Sequence, residues 1–120
     1  MVYLWDAMAT QNKKILENGL SHIPRLPKGT TWINYIRCHD DIGLGYADKD
    51  IMASGYSPYD HKQFIISYYV GEFQGSPAKG QRFMYNPKTG DSRITGSTAS
   101  LLGLEKAIDN KNHSLEEKAL

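Results

Sequence analysis

The sequence predicts an α/β fold, and three observations predict it. A helical pattern from Val2 to Leu20 gives way, after a Pro/Gly loop, to Thr30-Thr-Trp-Ile-Asn-Tyr-Ile-Arg-Cys38. That stretch is dense in β-branched and aromatic residues, as buried strands are. Helix, short loop and buried strand in that order make half of an α/β repeat. Farther along, Ser57-Pro58-Tyr59-Asp60 has the form of a helix start, and two β-prone segments flank Asn86-Pro-Lys-Thr-Gly-Asp91 as a hairpin would. The length of 120 residues suits one domain, or a piece of a larger one.

Each element has its own signal. In the first helix Leu4, Trp5, Met8, Ile15 and Leu16 recur mainly at three-, four- and seven-residue spacings, leaving Lys13, Lys14 and Glu17 to face water. Gly19 lies near its end, and Pro24 and Pro27 prevent continuation. From Asp40 to Tyr59 the chain is rich in Asp, Gly and Ser without a sustained period, which predicts a loop. Ser57 as N-cap, Pro58 at the first helical position and Asp60 at the third then open a helix to about Glu72. It should bury Phe64, Ile65, Tyr68 and Tyr69. Gln81 to Tyr85 and Ser92 to Thr95 are expected to pair across a turn at Pro87 to Gly90. Ser97 is expected to cap a helix through Lys106, and Ser114-Leu-Glu-Glu117 forms a capping box for a last one.

Composition excludes several classes of function. Hydrophobic residues make up 40% and charged residues 22%, ordinary globular usage. Fourteen Lys+Arg against thirteen Asp+Glu give a net charge of +1, interspersed along the chain. No basic field gathers nucleic acid, and no polybasic tether reaches a membrane. Cys38 is the single cysteine, so neither an internal disulfide nor a cysteine-based zinc site can form. The longest apolar stretch, Phe64 to Val70, falls far short of the roughly 20 residues of a membrane-spanning helix. The N-terminus carries no signal pattern, which leaves the compartment open with the cytoplasm favoured.

The densest polar cluster is Arg37-Cys38-His39-Asp40-Asp41, at the C-terminal end of the expected strand. In parallel α/β folds the loops leaving strand ends converge there and build the active site. Asp40 and Asp41 cannot be a catalytic pair, because adjacent residues of an extended segment point opposite ways. One such acid beside a histidine suits gripping hydroxyls or stabilising developing positive charge. A metal-dependent hydrolase is a competing reading, with His39, Asp40 and Asp41 as ligands and Asp48, Asp50 and His61 as extras. Their spacing has no diagnostic form, so no metal or other cofactor is expected. Cys38 is expected to be structural. Trp5, Trp32, Tyr68 and Tyr69 are expected in a core, His22 and His113 in solvent. A self-contained carbohydrate-binding or interaction module, using the aromatics and Arg93, is the alternative from a different class.

Residues 32–43, Trp-Ile-Asn-Tyr-Ile-Arg-Cys-His-Asp-Asp-Ile-Gly, resemble the seventh-strand motif of the α-amylase superfamily, the (β/α)8-barrel glycoside hydrolase family 13. The double acid followed by Ile-Gly resembles the amylosucrase branch more than ordinary amylases, as do Tyr59-Asp-His-Lys-Gln-Phe64 and Tyr85-Asn-Pro-Lys-Thr-Gly-Asp-Ser-Arg93. The resemblance implies an incomplete piece of a TIM barrel. Residues 1–41 would supply the sixth helix and seventh strand, 42–113 an inserted subdomain, and 114–120 the start of the seventh helix. The long span between Cys38 and Ser114 agrees, since βα loops usually take about 2–6 residues. A whole barrel needs about 250 residues.

The resemblance also implies roles. Asp40 would be the transition-state stabiliser, bonding two hydroxyls of a glucosyl unit as its ring flattens, with His39 supporting the same hydroxyls. Asp41 matches an extra acid that closes the pocket. Asp91, Arg93 and Phe64 match positions on the acceptor side. Lys62 stands where that branch has arginine and Leu44 where an aromatic is common; lysine is a point donor without arginine's bidentate fork. The nucleophilic Asp and the acid/base Glu lie outside this chain. Sucrose or an α-glucan such as a maltooligosaccharide is therefore the implied substrate of a parent enzyme. The separate chain would be inactive, and would dimerise through barrel surfaces left bare at Trp5, Trp32 and the strand edges.

Overall fold

Thr10, Gln11 and Asn12 divide the first helical segment in two. In the computed structural model, which describes residues 1–33, 35–37 and 41–120, α1 runs Val2–Thr10 and α2 Lys14–Ser21. Gln11 turns left-handed at φ 51°. Thr10 Oγ1 donates to the Asp6 carbonyl at 2.8 Å, and Asn12 Oδ1 accepts from Lys14 N at 3.0 Å. Short polar side chains here compete with the helical ladder, which the apolar spacing could not reveal. The break folds α2 back on α1, so that a Cβ at Gly19 would stand 2.7 Å from the Tyr3 ring.

The expected loop between Asp40 and Tyr59 contains a helix, α3 (Asp48–Ala53). It is too short to show a period, and Asp48 and Asp50 favour its first turn through the positive end of the helix dipole. α4 (Pro58–Tyr69) starts where the sequence placed it, with Ser57 Oγ accepting from Asp60 N at 3.4 Å. It buries His61, Ile65, Ile66 and Tyr69, while Phe64 and Tyr68 stay half-buried.

Strands β1 (Gln81–Phe83) and β2 (Arg93–Thr95) form the expected antiparallel hairpin, with Arg82 opposite Ile94. Ile42 adds a bridge on the other edge of β2, exchanging hydrogen bonds of 2.9 and 3.0 Å with Ile94. Ser97 caps a helix as expected, but that helix is cut into α5 (Thr98–Leu102) and α6 (Leu104–Asp109). Gly103 makes the cut at φ +93°, where a Cβ would meet Pro77 Cβ at 2.6 Å. α7 (His113–Ala119) begins two residues early: Asn112, not Ser114, caps it by accepting from Leu115 N at 3.1 Å. The described residues thus form a mixed α/β fold of seven helices and one two-stranded sheet.

The buried strand expected at 30–38 is not formed by its described residues. Trp32, Ile33, Tyr35 and Ile36 are exposed, Ile33 at 87%. A strand needs neighbours to complete its ladder, and no described strand runs beside this segment. Two bonds anchor it instead: Trp5 Nε1 donates to the Ile36 carbonyl at 2.9 Å, and Arg37 Nη2 to the Gly96 carbonyl at 3.0 Å. Asn34 and Cys38 lie outside the described residues.

Trp5 departs from the expectation for a separated barrel piece, because it is fully buried. Its ring packs edge-on to Tyr69 at 5.3 Å, within a core that includes Ile15, Ile42, Ile65, Ile94 and Leu101. Residues from 1–41 and from 42–113 therefore share one core. Among the described residues no helix is long and apolar enough to cross a membrane.

Candidate functional site

The hairpin turn and α4 build a polar surface together. Asn86 accepts from Gly90 N through its carbonyl and from Lys88 N through its side chain, at 2.8 and 3.0 Å, and Gly90 takes φ 72°. Gln63 Nε2 donates to the Gly90 carbonyl at 2.8 Å, which clamps the turn to α4. Asp91 is held in place as its Oδ1 accepts from Ser92 N at 2.9 Å.

Asp91 consequently borders two adjoining clefts. One, about 470 Å³, is lined by Asp91, Lys62, Asp48, Tyr59 and Leu44. The other, about 510 Å³, is lined by Asp91, Arg93, Asn86, Met84 and Leu44. Lys62 Nζ holds Asp48 Oδ1 at 2.7 Å. Carboxylates that accept and cations that donate, set around a tyrosine, are groups that grip hydroxyls. Asp41 is half-buried just before the Ile42 bridge to β2. Phe64 is elsewhere: it packs on Phe73 at 5.0 Å and Tyr68 at 5.9 Å, facing a third cavity. His39 and Asp40 lie outside the described residues.

No family model matches the chain.

The structure also brings together residues that the sequence did not single out as a group. Asp6, on α1, is 1% exposed. Its Oδ2 accepts from Tyr46 Oη at 2.7 Å and lies 2.5 Å from His61 Nε2. Burial, and then the Asp6 carboxylate beside it, push the Tyr46 phenol well above its ordinary value, so it remains a donor. Tyr56 stacks on the His61 ring at 5.2 Å. A signal was present: Asp6 is the one charge among the first twelve residues, next to Trp5. His61, Ile65 and Tyr69 also share a face of α4 at four-residue intervals.

The supplementary ligands of the metal reading are engaged separately. Asp48 holds Lys62, and His61 holds Asp6. Asp50 Oδ2 accepts from Tyr3 Oη at 2.8 Å, with His22 Nε2 3.3 Å from its Oδ1. Among the described residues no three His, Cys, Asp or Glu side chains gather as a metal cage.

Proposed function

We propose that this chain belongs to a retaining α-glucan-active glycosidase or glucosyltransferase of the α-amylase type, nearest the amylosucrase branch. The observation that carries the reading is the position of Asp91, between Lys62 on one side and Arg93 on the other. The amylosucrase-like motifs singled out these three residues, and they line two clefts sharing Asp91, whose polar groups would suit a polyhydroxyl acceptor. The exposure of Trp32, Ile33, Tyr35 and Ile36 agrees, since a central barrel strand without its neighbours would present such side chains.

In this reading Asp40 bonds the hydroxyls of the glucosyl unit as positive charge develops on its ring, and His39 supports the same hydroxyls. Bonds that tighten only in the transition state raise the rate rather than ground-state affinity. The nucleophile and the acid/base come from other parts of the parent barrel. Lys62, a single-point donor, sets a looser acceptor preference than an arginine would.

Reading the source gene on both sides of this segment is the first test. The expected result is an Asp and a Glu at two upstream strand ends, and a frame that continues past Leu120. In the parent, Asp40→Asn should lower the turnover of sucrose or maltooligosaccharide by orders of magnitude with little loss of binding. The 120-residue chain alone should show no turnover; an active separate chain or an unimpaired Asp40→Asn parent overturns the assignment.

A second reading, a self-standing carbohydrate-binding unit, is favoured by the complete burial of Trp5 in a core the chain makes for itself. It requires a frame that opens at Met1 and closes at Leu120. It also requires sugar binding by the separate chain that Asp91→Ala removes.

A further inference from the structure

The third cavity has a chemistry unlike that of the two polar clefts. It measures about 570 Å³, within the range of small-molecule sites. The aromatic residues Tyr56, Phe64, Tyr68 and Phe73 line it, together with buried His61 and exposed Asp60. We propose that it binds a small organic monocation with a flat apolar body, of which a protonated arylalkylamine is the simplest form. The inference is independent of the glucosyl-transfer reading, because it concerns a different cavity and ligands that are not sugars.

Charge decides the ligand class. Among the described residues no Lys or Arg lines the cavity. Lys62, the nearest cation along α4, is committed to Asp48 in the neighbouring cleft. Behind the wall, Asp6 and His61 form a pair, and Tyr46 stays neutral as the donor to Asp6. If His61 holds a second proton the pair is neutral, and Asp60 leaves the site at one negative charge. If it does not, the site carries two. The sign is the same in both proton inventories, so anions are repelled and cations attracted. Aromatic rings add to this selectivity, since their negative faces attract ammonium groups. A neutral ligand of the same shape gains only the burial of its ring.

Asp60 is the group that separates these cases. It is exposed and among the lining residues, and its backbone amide, not its side chain, joins the Ser57 cap. Removing its charge therefore leaves the Ser57 cap bond in place. Placed over the rings, a ligand ring would lie between Tyr56 and Phe73 with its ammonium toward Asp60.

The test is an NMR titration of the 120-residue chain with phenethylamine, phenethyl alcohol and phenylacetate at neutral pH. Phenethylammonium should shift the signals of Tyr56, His61 and Phe73, and bind about tenfold or more tightly than the alcohol. Phenylacetate should bind weakest. Asp60→Asn should bring the amine down to the affinity of the alcohol without changing the alcohol, and Asp60→Glu should keep the preference. Phe73→Ala should weaken both. Equal binding of amine and alcohol, a preference that survives Asp60→Asn, or no shift at these residues with saturating amine would each overturn the proposal. Should Asp60→Asn fail to fold by circular dichroism, Asp60→Ser serves in its place, and the three-probe ranking on the unsubstituted chain still decides.

Discussion

Tyr69 Oη donates to the Trp5 carbonyl at 2.5 Å while its ring stands edge-on to the Trp5 indole at 5.3 Å. The two residues lock α1 to α4 by a polar and an apolar contact at once. Trp5→Ala should therefore cost about 3–5 kcal/mol, as large aromatic deletions from cores do. Tyr69→Phe keeps the ring and removes only the hydroxyl, so its cost should be near 1 kcal/mol. Urea unfolding of the two variants checks the ratio. Equal costs would mean that the hydroxyl bond, not the packing, joins the helices.

The sequence carried the elements that have local signatures. Ser57-Pro58 marked the start of α4, and Asn86 to Asp91 marked the hairpin turn, because caps and turns are decided by residues within a few positions. It did not carry the breaks at Gln11 and Gly103, where the apolar period runs on but a left-handed residue redirects the chain. Nor did it carry the fate of Trp32 to Ile36, since composition records an appetite for strand partners and not whether any are present. At the candidate site, motif resemblance singled out Lys62, Asp91 and Arg93, which line two clefts that share Asp91. Asp6 and His61 were missed as a pair because their contact spans 55 positions of chain.

Asp6 offers a second prediction. It is the buried acceptor for both Tyr46 and His61, and removing one member of a buried ionic or hydrogen-bonded set strands the rest. Asp6→Ala should cost about 3–5 kcal/mol. Asp6→Asn, which still accepts one bond, should cost clearly less. The double variant Asp6→Ala with Tyr46→Phe should lose less than the sum of the single changes, because the stranded hydroxyl has gone. Strict additivity in thermal or urea unfolding would show that the two side chains do not depend on one another.

Alkaline pH provides a third. Burial raises the phenols of Tyr46 and Tyr69 far above the ordinary value of 10.0. A raised folded pKa contributes stability that is whole below the unfolded value and declines as pH climbs above it. Between pH 7 and 9 these two tyrosines should leave stability unchanged. Above about pH 10 the unfolded chain releases their protons first, and each adds a slope of about 1.4 kcal/mol per pH unit against folding. Melting curves from pH 8 to 11 should show this decline, and Tyr46→Phe should make it shallower. A Tyr46→Phe curve that falls as steeply as the parent curve would remove Tyr46 from the cause.

Trp32, Ile33, Tyr35 and Ile36 lie exposed, close together in the chain. Exposed large apolar side chains of this kind drive association in water. The separate chain should therefore self-associate with rising concentration, and Trp32→Ser with Ile33→Ser should return it to a monomer without lowering its melting temperature. Sedimentation velocity and thermal melting measure the two effects. In a parent barrel the same side chains would be covered by neighbouring strands, so the double substitution should there destabilise the fold by several kcal/mol. Opposite effects in the two contexts would follow from a strand that lacks its partners in the short chain. Harmless substitution in both would mean that this segment is surface wherever it occurs, and would leave the self-standing unit as the better account.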